Sequence, residues 1–253
     1  MEILTREHDL SYSYIKYIPN FLDIKTLITI KNELEKENYI GGETDYGTTI
    51  PRLQKWMHDE NQPFSLLWNK QYPRWQPREY TPFIKELKEN LFEFYASKYT
   101  LPIFIKKPRF NSALINVYNS GKHSISFHRD NLPEFGNDPT IMVLSFGEAR
   151  DMEFRRVIYN PKNPKSMKMD KNNLHKNFTI KLEEGSLLIM GGSTQKYYAH
   201  GIQKSNTDNT NEFLININTA REELEQIDKE TLINILDQNV NPKKFNINNA
   251  KTH

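Results

Sequence analysis

Seven histidines are spread along the 253 residues, and three side chains stand where they could share a metal ion. His128 is followed two residues later by Asp130, just after the apolar-polar run 124–127. On an extended chain residues i and i+2 project from the same face, so one imidazole and one carboxylate can reach the same point. A third ligand has to come from a distant strand. His200, closing the segment that follows the Gly191-Gly192 turn, is the natural candidate. Two histidines and one carboxylate on one face of an ion leave three positions open, the ligand set of non-haem Fe(II) oxygenases. Cysteine is absent, which excludes disulfides, Cys-ligated zinc, iron–sulfur clusters and thiol nucleophiles.

The elements that must hold these residues are mostly strands. Alternating and β-branched runs predict strands at Ser112–Tyr118, Ile141–Phe146, Met152–Tyr159, Phe178–Leu182, Ser186–Met190 and Glu212–Thr219. Turn residues separate them, among them Glu184-Gly185 and Gly191-Gly192. Many short strands with few helices between them argue for a sandwich or barrel rather than a parallel α/β sheet. Apolar residues at helical spacing predict helices over Pro19–Glu37 and Thr81–Ser97, the second opened by Thr81-Pro82. The segment 40–79 has no sustained period and reads as a loop or hairpin region. The chain turns helical again from Glu222 to about Leu236 and ends in a polar tail, 239–253.

Composition sets the outer limits. The chain is 37% hydrophobic and 26% charged, enough apolar material for a core in a soluble globular protein. Its net charge of +2 does not by itself call for a polyanionic partner, so any nucleic-acid contact must rest on local patches. The first ten residues carry Glu2, Arg6, Glu7, His8 and Asp9 and offer no apolar core for a signal peptide. No run approaches the roughly 20 apolar residues of a membrane helix. The expectation is an intracellular protein, cytoplasmic or nuclear, without a membrane partner.

Several ordered motifs resemble the AlkB family of 2-oxoglutarate- and Fe(II)-dependent dioxygenases. They are Leu114-Ile-Asn-Val-Tyr-Asn-Ser-Gly, His128-Arg-Asp, the stretch from Leu144 to Arg155, the stretch from Glu184 to Gln195, Tyr197-Tyr-Ala-His200 and Thr219-Ala-Arg221. Upstream, Ile18-Pro-Asn-Phe-Leu22 and Pro51-Arg-Leu-Gln-Lys-Trp56 look like the family's N-terminal signposts. The resemblance spans roughly residues 15–222. It implies a mainly β (α+β) fold, a double-stranded β-helix or jelly roll of the cupin kind, with N-terminal helices and a C-terminal helical extension. The implied dioxygenase domain covers 1–222, with nucleotide recognition at about 40–80, the β-helix core at about 110–222 and an extension at 223–253.

The resemblance also implies roles. His128, Asp130 and His200 hold Fe(II), Asn116 and Tyr118 hydrogen-bond 2-oxoglutarate, and Arg221 pairs with a co-substrate carboxylate. With O2, the 2-oxo acid is decarboxylated to succinate while a methyl group on a base nitrogen is hydroxylated and leaves as formaldehyde. One departure stands out. Counted back from Arg221, the family's Arg-x-Asn-x-Thr-x-Arg strand has Ile215 where its first arginine belongs and Ile217 where its asparagine belongs. A slip of one residue brings Asn216 or Asn218 into the site but supplies no second arginine.

On the substrate side, the expected partner is DNA or RNA with the target base flipped or single-stranded, acted on by a monomer. Tyr46, Trp56, Phe64, Trp68, Tyr72, Trp75 and Tyr80 crowd the 40–80 region. Phe64, followed by Ser65, is the first choice for the ring that stacks on the base, and Trp68 the second. Arg150 and Asp151 complete the candidate substrate-binding set, although Arg150 could instead brace its strand. Between residues 150 and 181 nine basic residues face three acidic ones, an excess of six, and the Tyr159–Lys176 insertion could lie along phosphates. Two rival readings remain: an oxygenase acting on a protein side chain, and a non-catalytic nucleic-acid-binding module that has lost its co-substrate pocket.

Overall fold

A computed structural model of the chain describes residues 1–43, 47–58, 78–98, 110–130, 138–164, 166–206 and 212–218. In chain order the strands are β1 (Glu2–Arg6), β2 (Tyr12–Ile18), β3 (Leu53–His58), β4 (Ser112–Tyr118), β5 (Ile125–His128), β6 (Ile141–Phe146), β7 (Arg150–Arg156), β8 (Phe178–Leu182), β9 (Leu187–Gly192), β10 (Tyr198–Ile202) and β11 (Glu212–Asn218). Two helices, α1 (Ile24–Leu34) and α2 (Pro82–Lys98), precede the main run of strands. The strands form a seven-stranded sheet, β1-β2-β9-β6-β11-β4-β3, and a four-stranded sheet, β5-β10-β7-β8. All the strand pairings are antiparallel.

Strand parity explains how one sequence fills two cores. In β6, Ile141 and Val143 pack between the two sheets, while Met142 and Leu144 face the helices. In β9, Leu188 and Met190 face inward and Leu187 and Ile189 outward. A strand covered on both faces has no solvent side, which is why these segments read as unbroken apolar runs rather than alternating ones. Leu27, Ile30 and Leu34 of α1, with Ile84, Leu87 and Leu91 of α2, cap the outer face of the large sheet. Each helix starts as its sequence indicates. Asp23 accepts from the Thr26 amide at 2.9 Å, and Thr81 Oγ1 accepts from the Ile84 amide just ahead of Pro82.

Both helices and every strand predicted in the core region are present, three strands with the expected ends and others with shifted ones. The strand expected at Met152–Tyr159 starts earlier, at Arg150, and the one expected from Ser186 runs from Leu187 to Gly192. The segment 40–79 is not loop throughout. Its residues 53–58 are β3, an edge strand on β4, whose Lys55 and mixed polarity disguise it. The hairpin β1–β2, not anticipated, extends the other end of the large sheet. Its polar connection carries Glu7, which reaches the Arg156 guanidinium of the small sheet, with both side chains buried. The predicted C-terminal helix and tail lie outside the described residues.

Candidate metal centre

β5 and β10 run antiparallel with His128 opposite His200, and a register shift follows between His200 and Ile202. Close approach at this point depends on Gly201. A Cβ there would lie 2.8 Å from the Ile125 carbonyl oxygen. The two imidazole rings come within 4.4 Å, centroid to centroid. Asp130, two residues beyond the end of β5, turns its carboxylate between them. Its Oδ1 is 3.7 Å from His128 Nε2 and its Oδ2 is 3.5 Å from His200 Nε2. One ligand atom from each residue lies within 4.8 Å of the others. The sequence spacing thus brings together the three residues it singled out.

The protonation states suit a metal. Burial first, and then the neighbouring His200, push the His128 imidazole down to about 4, against the opposing pull of Asp130. Its ring is therefore neutral at pH 7. Nδ1 lies 2.9 Å from the Ser126 carbonyl, so Nδ1–H donates there and the Nε2 lone pair is left for an ion. Burial alone would raise the Asp130 carboxyl, but the His200 hydrogen bond and the charges of His128, His200 and Arg52 hold it below the usual range. His200 is 3% exposed, and its Nδ1 has no partner among the described residues. Two imidazoles, that of His128 neutral, and an ionised carboxylate are a donor set that fits Fe(II).

Supporting contacts fix the loop that bears Asp130. The Asp130 amide donates to Gln195 Oε1 at 2.9 Å. Arg129, between the two ligands in sequence, turns away from them and donates to the carbonyls of Lys196, Ser166 and Pro164. Those three acceptors tie the ligand loop both to the helical turn Thr194–Tyr197 and to the basic insertion. Nothing in the sequence pattern announced Arg129 or Gln195 in these roles, because their partners are backbone atoms and a distant amide.

Asn116 and Tyr118 lie on β4 two residues apart and share a face. Tyr118 packs in the cluster between the sheets. Asn116 Oδ1 accepts two hydrogen bonds, from Arg52 Nε at 3.0 Å and from Gln54 Nε2 at 2.9 Å. With its oxygen so committed, the amide is held in one orientation and Nδ2 remains as the donor. Arg52 and Gln54 sit in the Pro51–Trp56 motif, but their contact with Asn116 only becomes visible once β3 is paired with β4.

The register of β11 bears on the missing arginine. Ile215 pairs with Ile115 and Leu144, and Ile217 with Ala113 and Met142, four partners that belong to the helix-side cluster of the large sheet. Leu214 stands opposite Asn116 and Asn216 opposite Leu114. In this register Ile215 and Ile217 do not share the face of Asn116, whereas Asn216 and Asn218, the positions a one-residue slip brings in, do. The β11 positions in register with the Asn116 face of β4 are Glu212, Leu214, Asn216 and Asn218, and none is basic. Arg221 lies outside the described residues, as do Phe64 and Trp68.

Arg150 and Asp151 are not where a substrate contact was expected. Arg150 is 3% exposed, and its Nη2 donates to the carbonyls of His123 and Gln203, so it braces its strand. Asp151 is exposed on β7 and alternates with the inward-facing Met152, so it projects from the face opposite His200. Of the seven aromatic candidates, Trp56 and Tyr80 are described. Trp56 is buried in the core and Tyr80 packs against the helix-side cluster. Both serve packing. Arg155 lies over the Phe127 ring and pairs with Glu153, and Arg156 is committed to Glu7. Lys162, Lys168, Lys171 and Lys181 are exposed. Among the described residues no helix is long and apolar enough to cross a membrane.

Residues 14–248 match the model of the 2OG-Fe(II) oxygenase superfamily. The chain belongs to that superfamily. Membership brings Fe(II), 2-oxoglutarate and O2 as cofactors. Within it the resemblance is to AlkB homologues. The chain is 30% identical over 190 residues to alpha-ketoglutarate-dependent dioxygenase alkB homolog 3 of Mus musculus, and to the same protein of Homo sapiens. Each match covers 74% of this chain and 59% of the relative, so the chain spans under two thirds of the length of these relatives. The DNA oxidative demethylase ALKBH2 of Arabidopsis thaliana is 24% identical over 145 residues, 53% of this chain and 43% of that one. The solved structure of OsALKBH1 superposes with a TM-score of 0.50 at 15% identity, covering 82% of this chain and 97% of that chain, and supports the jelly-roll fold.

Proposed function

We propose that the chain is a nucleic-acid dealkylase that removes methyl groups from base nitrogens in DNA or RNA. The observation that carries the reading is the convergence of His128, Asp130 and His200 beside a donor-oriented Asn116. When bound, Fe(II) and 2-oxoglutarate supply the oxidising chemistry: the 2-oxo acid and O2 become succinate and CO2, and the substrate methyl leaves as formaldehyde. The chain's own part is positioning. His128 and His200 offer their imidazole rings, Asp130 a single anionic carboxylate, and Asn116 Nδ2 a fixed donor for an anionic co-substrate oxygen. Inward apolar residues such as Met152 and Phe154 limit water around the small-sheet side of the centre.

Support for a nucleic-acid substrate comes from the AlkB relatives and from local charge. The exposed lysines of the insertion and of β8 make no ion pair among the described residues, and Arg129 ties that insertion to the ligand loop. Phosphate contacts from such lysines carry affinity without sequence preference. Phe64, then Trp68, remain the proposed stacking rings, and Arg221 a proposed co-substrate contact. The lack of a basic residue at the β11 positions on the Asn116 face favours one rival, a binding module without turnover.

The test is to incubate the Fe(II)-loaded protein with 2-oxoglutarate, O2 and single-stranded oligonucleotides carrying N-methylated bases. Formaldehyde and succinate should form in equal amounts, and Asp130→Ala should abolish both. Salt-dependent oligonucleotide binding without either product would replace the dealkylase reading with the binding module. Succinate released with a protein substrate but with no oligonucleotide would move the substrate class.

A further inference from the structure

On the reading of His128, Asp130 and His200 as the ligand set, we infer that Gln195 and Arg129 are positioning residues that hold Asp130 in its ligating place before a metal binds. The two histidines sit in paired strands, and the β5–β10 ladder fixes one against the other. Asp130 has no such support. It lies two residues beyond the end of β5 and in none of the strand pairings. A ligand on an unpaired segment must be ordered when the ion binds, and that lost freedom opposes binding.

Two anchors order it in advance. The Asp130 amide donates to Gln195 Oε1 at 2.9 Å. Gln195 is buried, and its Nε2 faces Met190 Sδ at 3.7 Å. An inverted side-chain amide would set two donors against each other at Asp130, so Oε1 has one place to be. Arg129 is buried as well, and its Nη1 donates to the Lys196 carbonyl at 3.0 Å. Its Nη2 donates to the Ser166 carbonyl at 2.9 Å and to that of Pro164. A guanidinium committed to carbonyls does not compete for the neighbouring carboxylate. The Asp130 oxygens are left to face His128 and His200.

Both anchors reach the same short turn. Gln195 and Lys196 belong to Thr194–Tyr197, which runs directly into β10 and on to His200. The turn is itself tied down: Thr194 Oγ1 donates to the Gly191 carbonyl at 2.6 Å and accepts from the Tyr14 amide at 3.1 Å. Asp130 is therefore held against the strand that carries His200, while the ladder holds His128 against that same strand. Two separate constraints set three ligands.

The experiment has two parts. In the metal-free protein, hydrogen exchange of the Asp130 amide is followed by NMR. An amide already bonded to Gln195 should exchange about 10-fold or more slowly than an unpaired one, and exchange at the unpaired rate overturns the assignment. The second part is titration with Co(II), followed by visible absorption. Gln195→Met, which keeps the length and removes the acceptor, and Arg129→Met should each weaken Co(II) by about 10- to 100-fold. At saturation the Gln195→Met spectrum should move toward that of Asp130→Ala, because a displaced carboxylate changes the ligand field. Thr194→Val disturbs the same turn through its contacts with β2 and β9. It should lower the thermal midpoint and leave Co(II) affinity within about two-fold. Equal weakening of Co(II) by Thr194→Val at a matched fall in midpoint would make Gln195 a merely structural residue and overturn the assignment. Undiminished Co(II) affinity in Gln195→Met and Arg129→Met, or an unaltered spectrum in Gln195→Met, overturns it too. Full-strength Co(II) binding by Asp130→Ala would instead defeat the ligand reading itself.

Discussion

His128 and His200 stand opposite one another in the β5–β10 ladder, and the two Nε2 atoms converge on the two oxygens of Asp130. The ligand set therefore depends on one strand pairing as much as on three residue types.

Removing a ligand should abolish the centre without dismantling the fold, because His128 and Asp130 lie at the rim rather than in either core cluster. His128→Ala and Asp130→Ala should each lower Fe(II) or Co(II) affinity by more than the about 10- to 100-fold that loss of an outer-shell partner costs. Metal titration monitored by Co(II) absorption checks this, with unchanged circular dichroism as the control. Full-strength binding by Asp130→Ala would remove Asp130 from the ligand set.

Metal-free protein should lose stability as pH falls. A free imidazole titrates at about 6.5, and burial together with His200 lowers His128 to about 4. The unfolded chain then takes up the proton first. The contribution of this group is complete above about 6.5 and is lost as pH falls through about 4. Urea midpoints of the chelator-treated protein across that window should decline with acid, and His128→Gln should flatten the decline. Equal slopes in the two proteins would contradict the lowered value.

Gly201→Ala probes the pairing directly. The new Cβ would meet the Ile125 carbonyl at 2.8 Å and the Phe127 amide nitrogen at 3.1 Å, both backbone atoms. β5 must move away from β10, carrying His128 from His200. We expect a cost of about 1–3 kcal/mol in stability and a larger proportional loss in metal affinity than in thermal midpoint. Wild-type metal affinity in this variant would show that β5 can shift without disturbing the ligands.

The Glu7–Arg156 pair joins the two sheets with side chains that are 0% and 2% exposed. Ser13 Oγ also donates to Glu7. Glu7→Gln leaves the guanidinium buried over Tyr197 and Tyr198 without its counter-charge. The expected loss is about 3–5 kcal/mol, read from urea denaturation. Glu7→Leu combined with Arg156→Met should restore much of it. A loss under about 1 kcal/mol in Glu7→Gln would mean that water reaches the pair.

Much of this was legible because local chemistry and global fold agree. Asp23 and Thr81 cap helices where their side chains say they should, and the apolar runs of β6 and β9 can only be buried strands. The ligand triad was legible too, since His-x-Asp on an extended chain fixes two ligands and few histidines compete for the third. Long-range pairing was less accessible. β3 was hidden by Lys55 and by the lack of alternation, and Arg52 and Gln54 gain meaning only when β3 docks on β4. The sequence left two frames open for β11, and only its pairing with β4 and β6 shows which positions lie on the Asn116 face. Arg150 stayed open between substrate contact and strand brace because sequence does not distinguish a guanidinium that meets a ligand from one that meets two carbonyls.

β5 is only four residues long and forms one border of the small sheet, so a bound ion would act as a rivet. It would join the end of a border strand to its neighbour through His128 and His200. Stripping the ion undoes that rivet and leaves a short ladder held at the closely packed Gly201. A loosened border of this kind is a template for strands from other molecules. Iron supply would then govern how well the protein stays dispersed as well as what it can oxidise.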